Sequence, residues 1–305
     1  MSNKKRLVPG PLTIPIMPIP RVRTRLAALL VAPLALAAGL TACGSEGETS
    51  AEGGAPASCK AADLPLKQDG KLTIGTDSPA YEPWFSDNDP SNGKGFESAV
   101  AYAVAEQLGF AKDDVVWIKQ AFNTSYTPGA KKFDFDINQI SVTPEREGVV
   151  DFSQGYYTAS QAVVTMEKDA AKAASLDDLK GLKLGAQTAT TSLTAIREDV
   201  KPSTDPMVFD TSDQAKQALL NGQVDALVFD LPTAFYITGA EIEGSTITGQ
   251  FESSEKPEEF GLLTEKDSGL APCLDEALAA LDDDGTLAAL EKEWLSDVVS
   301  VPVLK

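Results

Sequence analysis

Leu182-Lys183-Leu184-Gly185-Ala186, then the run from Asp213 to Asn221, then Val224-Asp225-Ala226-Leu227-Val228-Phe229-Asp230 decide the fold of this chain. The first piece is short, mostly apolar and preceded by the turn residue Gly181, as a strand is. The second reads as a helix, with Gly222 behind it where a left-handed stop is needed. The third is an apolar run of strand length. Strand, helix and strand in this order argue for α/β architecture with largely parallel sheets. The same rhythm appears further out. Lys71 to Gly75 puts Leu72 and Ile74 on one face, and Ser98 to Leu108 spaces Val100, Val104 and Leu108 four apart with Gly109 behind. Phe133 to Ile140 alternates with Phe133, Phe135 and Ile137 inward, and Met207 to Phe209 is another short strand. Ser175-Leu176-Asp177-Asp178 has the form of a capping box. From Gly261 onward a strand and two helices follow, Cys273 to Asp283 and Thr286 to Leu295. Leu274, Ala277, Leu278 and Leu281 form the buried stripe of the first of these helices. Two such units, with a last segment that fits neither alone, imply two lobes and a crevice between them.

The apolar segment Leu26 to Leu40 follows Arg21, Arg23 and Arg25. A basic flank, a short apolar core and small residues make a secretory signal. Its 15 residues fall short of a membrane-spanning helix. The following Leu40-Thr41-Ala42-Cys43 resembles the lipobox of bacterial lipoproteins. That resemblance implies removal of residues 1–42, a lipid on Cys43, and attachment to the outer face of the cell membrane. The alternative is an ordinary secreted protein with an incidental cysteine. Residues 43–58 carry no large apolar side chain and read as a flexible tether. The leader holds six basic residues and no acid, which leaves 20 basic against 45 acidic residues in the remainder. So acidic a surface argues against nucleic-acid binding. The chain has no histidine, which removes the commonest general base and the usual zinc ligands. With Cys43 taken by lipid, Cys59 and Cys273 are expected to join in a disulfide; two buried free thiols are the alternative.

Five further stretches stand in order along the chain. They are Gly75-Thr76-Asp77 with Tyr81, Pro83 and Trp84; Gly95-Phe96-Glu97; Ile140-Ser141-Val142-Thr143-Pro144-Glu145-Arg146 running on into Asp151-Phe152-Ser153-Gln154-Gly155-Tyr156-Tyr157; Thr188-Ala189-Thr190-Thr191-Ser192; and Val224 to Asp230. Together, from Lys71 to Leu295, they resemble the family 3 extracytoplasmic solute-binding proteins, the amino-acid receptors of bacterial ABC importers. The resemblance implies a two-lobed, type II periplasmic-binding-protein-like fold, each lobe a mostly parallel sheet flanked by helices. Lobe 1 is expected to comprise residues 59–155 and 261–305, and lobe 2 residues 161–255, with hinges at about 156–160 and 256–260. It further implies an amino-acid ligand, an ABC permease with its ATPase as partners, a monomer, no cofactor and no catalysis.

The chemistry of these residues suits a zwitterion. An α-carboxylate calls for a planar, always-charged, two-pronged donor, and Arg146 is one, with the Thr143 hydroxyl on the same turn. An α-ammonium calls for a carboxylate, and Asp230 stands just past a strand end, where ligands of α/β sheets sit. Thr190 and Thr191 lie at a like position, before backbone N–H groups that favour a carboxylate. Tyr81 and Phe122 match the family's aromatic walls, and Ile140, Ser141 and Gln187 complete the expected ligand-binding set. In the family this position reads the far end of the ligand side chain, which implies that Asp77 accepts from a cationic or amide group and repels an acid. Each residue also has a plainer reading. Arg146 could pair with Glu145 or Glu147 at the surface, Asp230 could cap a helix at Leu231-Pro232, and Asp77 could cap a turn before Pro79. Trp84, Tyr81 and Phe122 could be core aromatics. The chain departs from the family pattern at Ser98-Ala99, at Gln139 where glycine is common, and at Gln187, which bears on side-chain specificity. The expected function is a lipid-anchored receptor for a polar amino acid. The alternatives are an enzyme on the same scaffold, such as a cyclohexadienyl or arogenate-type dehydratase with Asp77 or Glu97 as its acid, and a sensory ligand-binding protein.

Overall fold

The computed structural model describes residues 58–252, 257–295 and 301–305. The leader, Cys43, most of the tether and part of the second hinge lie outside them. Along the chain, β1 (Leu72–Thr76) leads to α1 (Phe96–Gln107), β2 (Val115–Lys119), the single turn α2 (Phe122–Ser125), β3 (Phe135–Asp136), the turn α3 (Pro144–Glu147) and β4 (Val150–Ala159). Then come β5 (Gln161–Thr165), β6 (Leu184–Gln187), α4 (Thr191–Ala195), β7 (Met207–Phe209), α5 (Ser212–Leu220), β8 (Ala226–Asp230), α6 (Leu231–Tyr236) and β9 (Thr246–Phe251). The chain closes with β10 (Glu258–Glu265), α7 (Ala271–Asp283) and α8 (Thr286–Leu295).

Two five-stranded sheets result, ordered β2-β1-β3-β10-β4 and β7-β6-β8-β5-β9. They are mixed rather than mostly parallel. β1, β2 and β3 run parallel in the first sheet, whereas β10 is antiparallel to both β3 and β4. In the second, β6, β7 and β8 are parallel and β5 is antiparallel to β8 and β9. The antiparallel strands are those that carry the chain between lobes: it leaves the first sheet after Ala159, enters the second at Gln161, and returns between Phe251 and Glu258.

The predicted stripes are buried. Val100, Val104, Leu274 and Leu278 pack with Leu72, Ile74, Phe135 and Phe260 into the first core. β5 is buried on both faces, with Ala162 and Val164 in one cluster and Val163 in the other, which is why its sequence does not alternate with polar residues. Phe133 to Ile140 is shorter as a strand than its alternation predicts. Only Phe135 and Asp136 pair, and Phe133 turns to a separate cluster with Ile140, Val150 and Leu263. The capping box forms, Ser175 and Asp178 exchanging hydrogen bonds over one short 3-10 turn. Gly95 has φ 90°, and a Cβ there would meet the Trp84 carbonyl at 2.5 Å, so the opening of α1 needs glycine.

Cys59 and Cys273 form a disulfide that pins the start of the described chain to α7. The last residues correct one expectation. Residues 301–305 fall within the span assigned to lobe 1, yet Val303 pairs with Gln250 beside β9 and Leu304 is buried in the second lobe's core. Gln250 N donates to Pro302 O, and Leu304 N donates to Gln250 O, each at 2.8 Å. An apolar Leu304 finds its burial there because Gly249 leaves the space.

Candidate functional site

A cleft of about 820 Å3, its mouth included, opens between the sheets. Asp77, Tyr81, Glu82, Phe122, Asn138 and Gln139 reach it from the first lobe. Gln187, Thr190, Thr191, Ser192, Ser212 and Lys216 reach it from the second, with Asp230, Thr233, Ile237 and Glu241. These are the carboxyl ends of β1, β3, β6 and β8, where the strands stop and free backbone groups face outward. Among the described residues the wall holds four carboxylates, of Asp77, Glu82, Asp230 and Glu241, and one amine, of Lys216. That amine already pairs with Asp213 and Glu241 and lies 5.0 Å from the Tyr81 ring centroid. The cleft is therefore acidic and favours a cation.

Of the residues expected from sequence, the structure brings Asp77, Tyr81, Phe122, Gln187, Thr190, Thr191 and Asp230 onto this wall. Asp77 accepts from the backbone N–H of Ser78 at 2.6 Å and of Phe122 at 3.1 Å, which fixes the carboxylate at the end of β1. Asp230 precedes α6 without capping it by its side chain. It accepts instead from Gln161 Nε2 at 2.9 Å. Burial first, then the nearby charge of Glu258, raises its pKa well above the ordinary carboxylate range. Thr190 is the N-cap of α4, accepting from Leu193 N and donating to Gln187 O. Gln187 accepts from Ser212.

Ile140, Ser141, Thr143 and Arg146 are placed behind the wall rather than on it. Ile140 is fully buried in the cluster beneath. Thr143 caps α3, accepting from Arg146 N. The Arg146 side chain is buried and, among the described residues, pairs with no surface acid. Its guanidinium donates to Ser141 O at 2.6 Å and to Ala189 O of the other lobe at 3.0 Å, and lies over the rings of Tyr126 and Phe122. Burial lowers its pKa, while Tyr126, Glu258 and Asp230 oppose that.

Besides Glu82, Asn138, Ser212, Thr233, Ile237 and Glu241 on the wall, the sequence expectations leave out Lys216, Glu258 and Gln161. Glu258 Oε1 accepts from Ser141 Oγ and Thr191 Oγ1, both at 2.5 Å, and its Oε2 accepts from Gln161 Nε2 at 2.8 Å. Gln161, fully buried, thus holds Glu258 and Asp230 on one amide. Lys216 sits on a helix whose exposed face gave no sign of a cleft. The departure at Gln139 has a local cause. Its backbone is left-handed, φ 48°, a conformation natural to glycine. Glu97 holds it there by accepting from Gln139 N at 2.6 Å and from its side-chain amide. Ser98 closes the loop before α1, accepting from Gly93 N and donating to Pro90 O. Trp84 is a core residue, but its indole N–H donates across the cleft to Thr233 Oγ1 at 2.8 Å.

The family model for bacterial extracellular solute-binding proteins, family 3, matches residues 72–297. The L-cystine-binding protein TcyA of Bacillus subtilis is 30% identical over 269 residues, which cover 86% of this chain and 94% of the relative. The arginine-binding extracellular protein ArtP of the same organism is 30% identical over 282 residues, 88% of this chain and 97% of ArtP. Among solved structures, the ancestral amino acid-binding protein AncCDT-1, a precursor of cyclohexadienyl dehydratase, superposes with a TM-score of 0.62 at 30% identity, over 74% of this chain and 95% of that one. With both sheets, the cleft between them and this breadth of match, the chain belongs to the bacterial extracellular solute-binding proteins, family 3.

Proposed function

We propose that this protein is a lipid-anchored receptor of an ABC importer, tethered outside the cytoplasm through Cys43, that closes its lobes on a polar amino acid and delivers it to a membrane permease. A cationic or amide side chain suits the site best. The observation that carries this reading is the acid excess of the cleft wall, with Asp230 where an α-ammonium is expected and Asp77 and Glu82 at the side-chain end. The relatives named for arginine and cystine binding support the class of ligand. Arg146 serves the α-carboxylate in this reading, after exchanging its backbone carbonyl partners for the ligand, and Ser141 and Thr191 add hydroxyls. Binding that draws on both lobes favours the closed form.

A thermal-shift screen against the twenty amino acids tests this. One cationic or amide amino acid is expected to raise the melting temperature, and glutamate and aspartate are expected to leave it unchanged. A second reading, an enzyme of dehydratase type, draws on Glu97, whose pKa burial pushes up to about 7. Glu97 is disfavoured as that acid because it lies under Gln139 and is fully buried, whereas Asp77 stands on the wall. Product formed from prephenate or arogenate would replace the receptor reading.

A further inference from the structure

Glu258 stands at the start of β10, where the chain returns from the second lobe to the first, and its carboxylate is the meeting point of groups from both. Ser141, whose backbone bridges to Phe260 of β10, offers its hydroxyl from the first lobe. Thr191 at the opening of α4 and Gln161 on β5 offer a hydroxyl and an amide from the second. Ser141 and Thr191 also approach each other at 3.3 Å. The Arg146 guanidinium is near enough for its charge to be coupled to that of Glu258. Two hydroxyl donors and an amide converging on one carboxylate, with a guanidinium at hand, are the surroundings that an amino acid's own carboxylate requires.

We propose that Glu258 is an internal competitor for the seat of the ligand's α-carboxylate, and that it latches the lobes together until the ligand displaces it. The latch rests on the carboxylate's partners alone; the competition rests in addition on the receptor reading above. A bound amino acid takes over the hydroxyls of Ser141 and Thr191, and Glu258 swings away with Gln161 still held by Asp230 and by Ser192 Oγ at 2.6 Å. The receptor therefore discriminates by exchange: a ligand must offer a carboxylate that outbids the one already seated.

The test uses the full chain with a fluorescent dye pair attached through non-natural ketone side chains in place of Gln107 and Glu198, exposed on opposite lobes. Without added amino acid, single-molecule energy transfer in the wild-type background is compared with Glu258→Ala, Glu258→Gln and Thr191→Val. The ratio of open to closed molecules is expected to rise about tenfold or more in Glu258→Ala and in Thr191→Val, and less in Glu258→Gln, which keeps the shape and loses the charge. For any amino acid that stabilises the wild type in the thermal screen, Glu258→Ala is expected to bind about tenfold or more tightly, since the seat is no longer shared. Unchanged distance distributions in both Glu258→Ala and Thr191→Val overturn the latch. Affinity that is unchanged or weaker in Glu258→Ala overturns the competition and makes Glu258 a scaffold or a ligand contact. If none of the twenty amino acids binds the wild type, the receptor reading fails and the distance measurement alone decides for or against the latch.

Discussion

Replacing Glu97 by glutamine should change how stability depends on pH, by an amount the structure lets one work out. Glu97 is fully buried on α1 and accepts from Gln139 N, from the Gln139 side-chain amide and from the Tyr156 hydroxyl. Those donors favour the charged carboxylate, but burial outweighs them and lifts its pKa from 4.5 to about 7. A carboxyl raised in the folded state is held protonated by folding. Its contribution to stability is complete below about pH 4.5 and is lost as the pH climbs through about 7. At 1.36 kcal/mol per unit, the loss between pH 5 and pH 8 comes to about 2–3 kcal/mol. Glu97→Gln matches the neutral carboxyl in shape and still accepts from Gln139 N and Tyr156, so it should lack this loss. Asp136, also fully buried, is raised first by burial and next by the charge of Glu97; the substitution relieves part of that shift and flattens the profile further. Urea unfolding of both proteins at pH 5 and pH 8 measures the difference. Equal pH slopes for wild type and variant would refute the argument, because Glu97 would then ionise as it does in the unfolded chain.

Two other predictions follow from side chains already described. Arg146→Ala should weaken binding of the amino acid found in the thermal screen by roughly tenfold to a hundredfold, with Arg146→Lys recovering only part, because lysine cannot reproduce a two-pronged grip. Calorimetry checks it, and an unchanged Kd removes Arg146 from the clamp. Gly249→Ala should push residues 301–305 off the second sheet, since its Cβ would stand 2.6 Å from Leu304 Cγ. The expected cost is about 1–3 kcal/mol by urea unfolding. Deleting residues 301–305 in that variant should add little, because both changes act on the same contact.

Several parts of the site were legible early because they are local. The stop of β8 at Asp230 and the threonines opening α4 follow from strand ends and caps, which a short stretch of chain encodes, whereas Tyr81 and Phe122 rest on the resemblance to the family. The stripes of α1 and α7 were legible for the same reason, as periodicity records which face is buried. β5 escaped because its two faces are both covered, so no alternation marks it. Gln139 stands where glycine is common, and only the fold shows that Glu97, on another element, holds its left-handed backbone.

The sequence alone therefore determined the α/β class, the presence of two units, the family and part of the cleft's lining, because each is written in patterns a few residues long. Tertiary structure alone decided that Arg146 turns to the carbonyls of Ser141 and Ala189, that Glu258 joins Ser141 to Thr191, and that Leu304 crosses to the second core. Each of these is a contact between residues distant along the chain. Their distances are set by how the two sheets pack, and no local pattern carries that information.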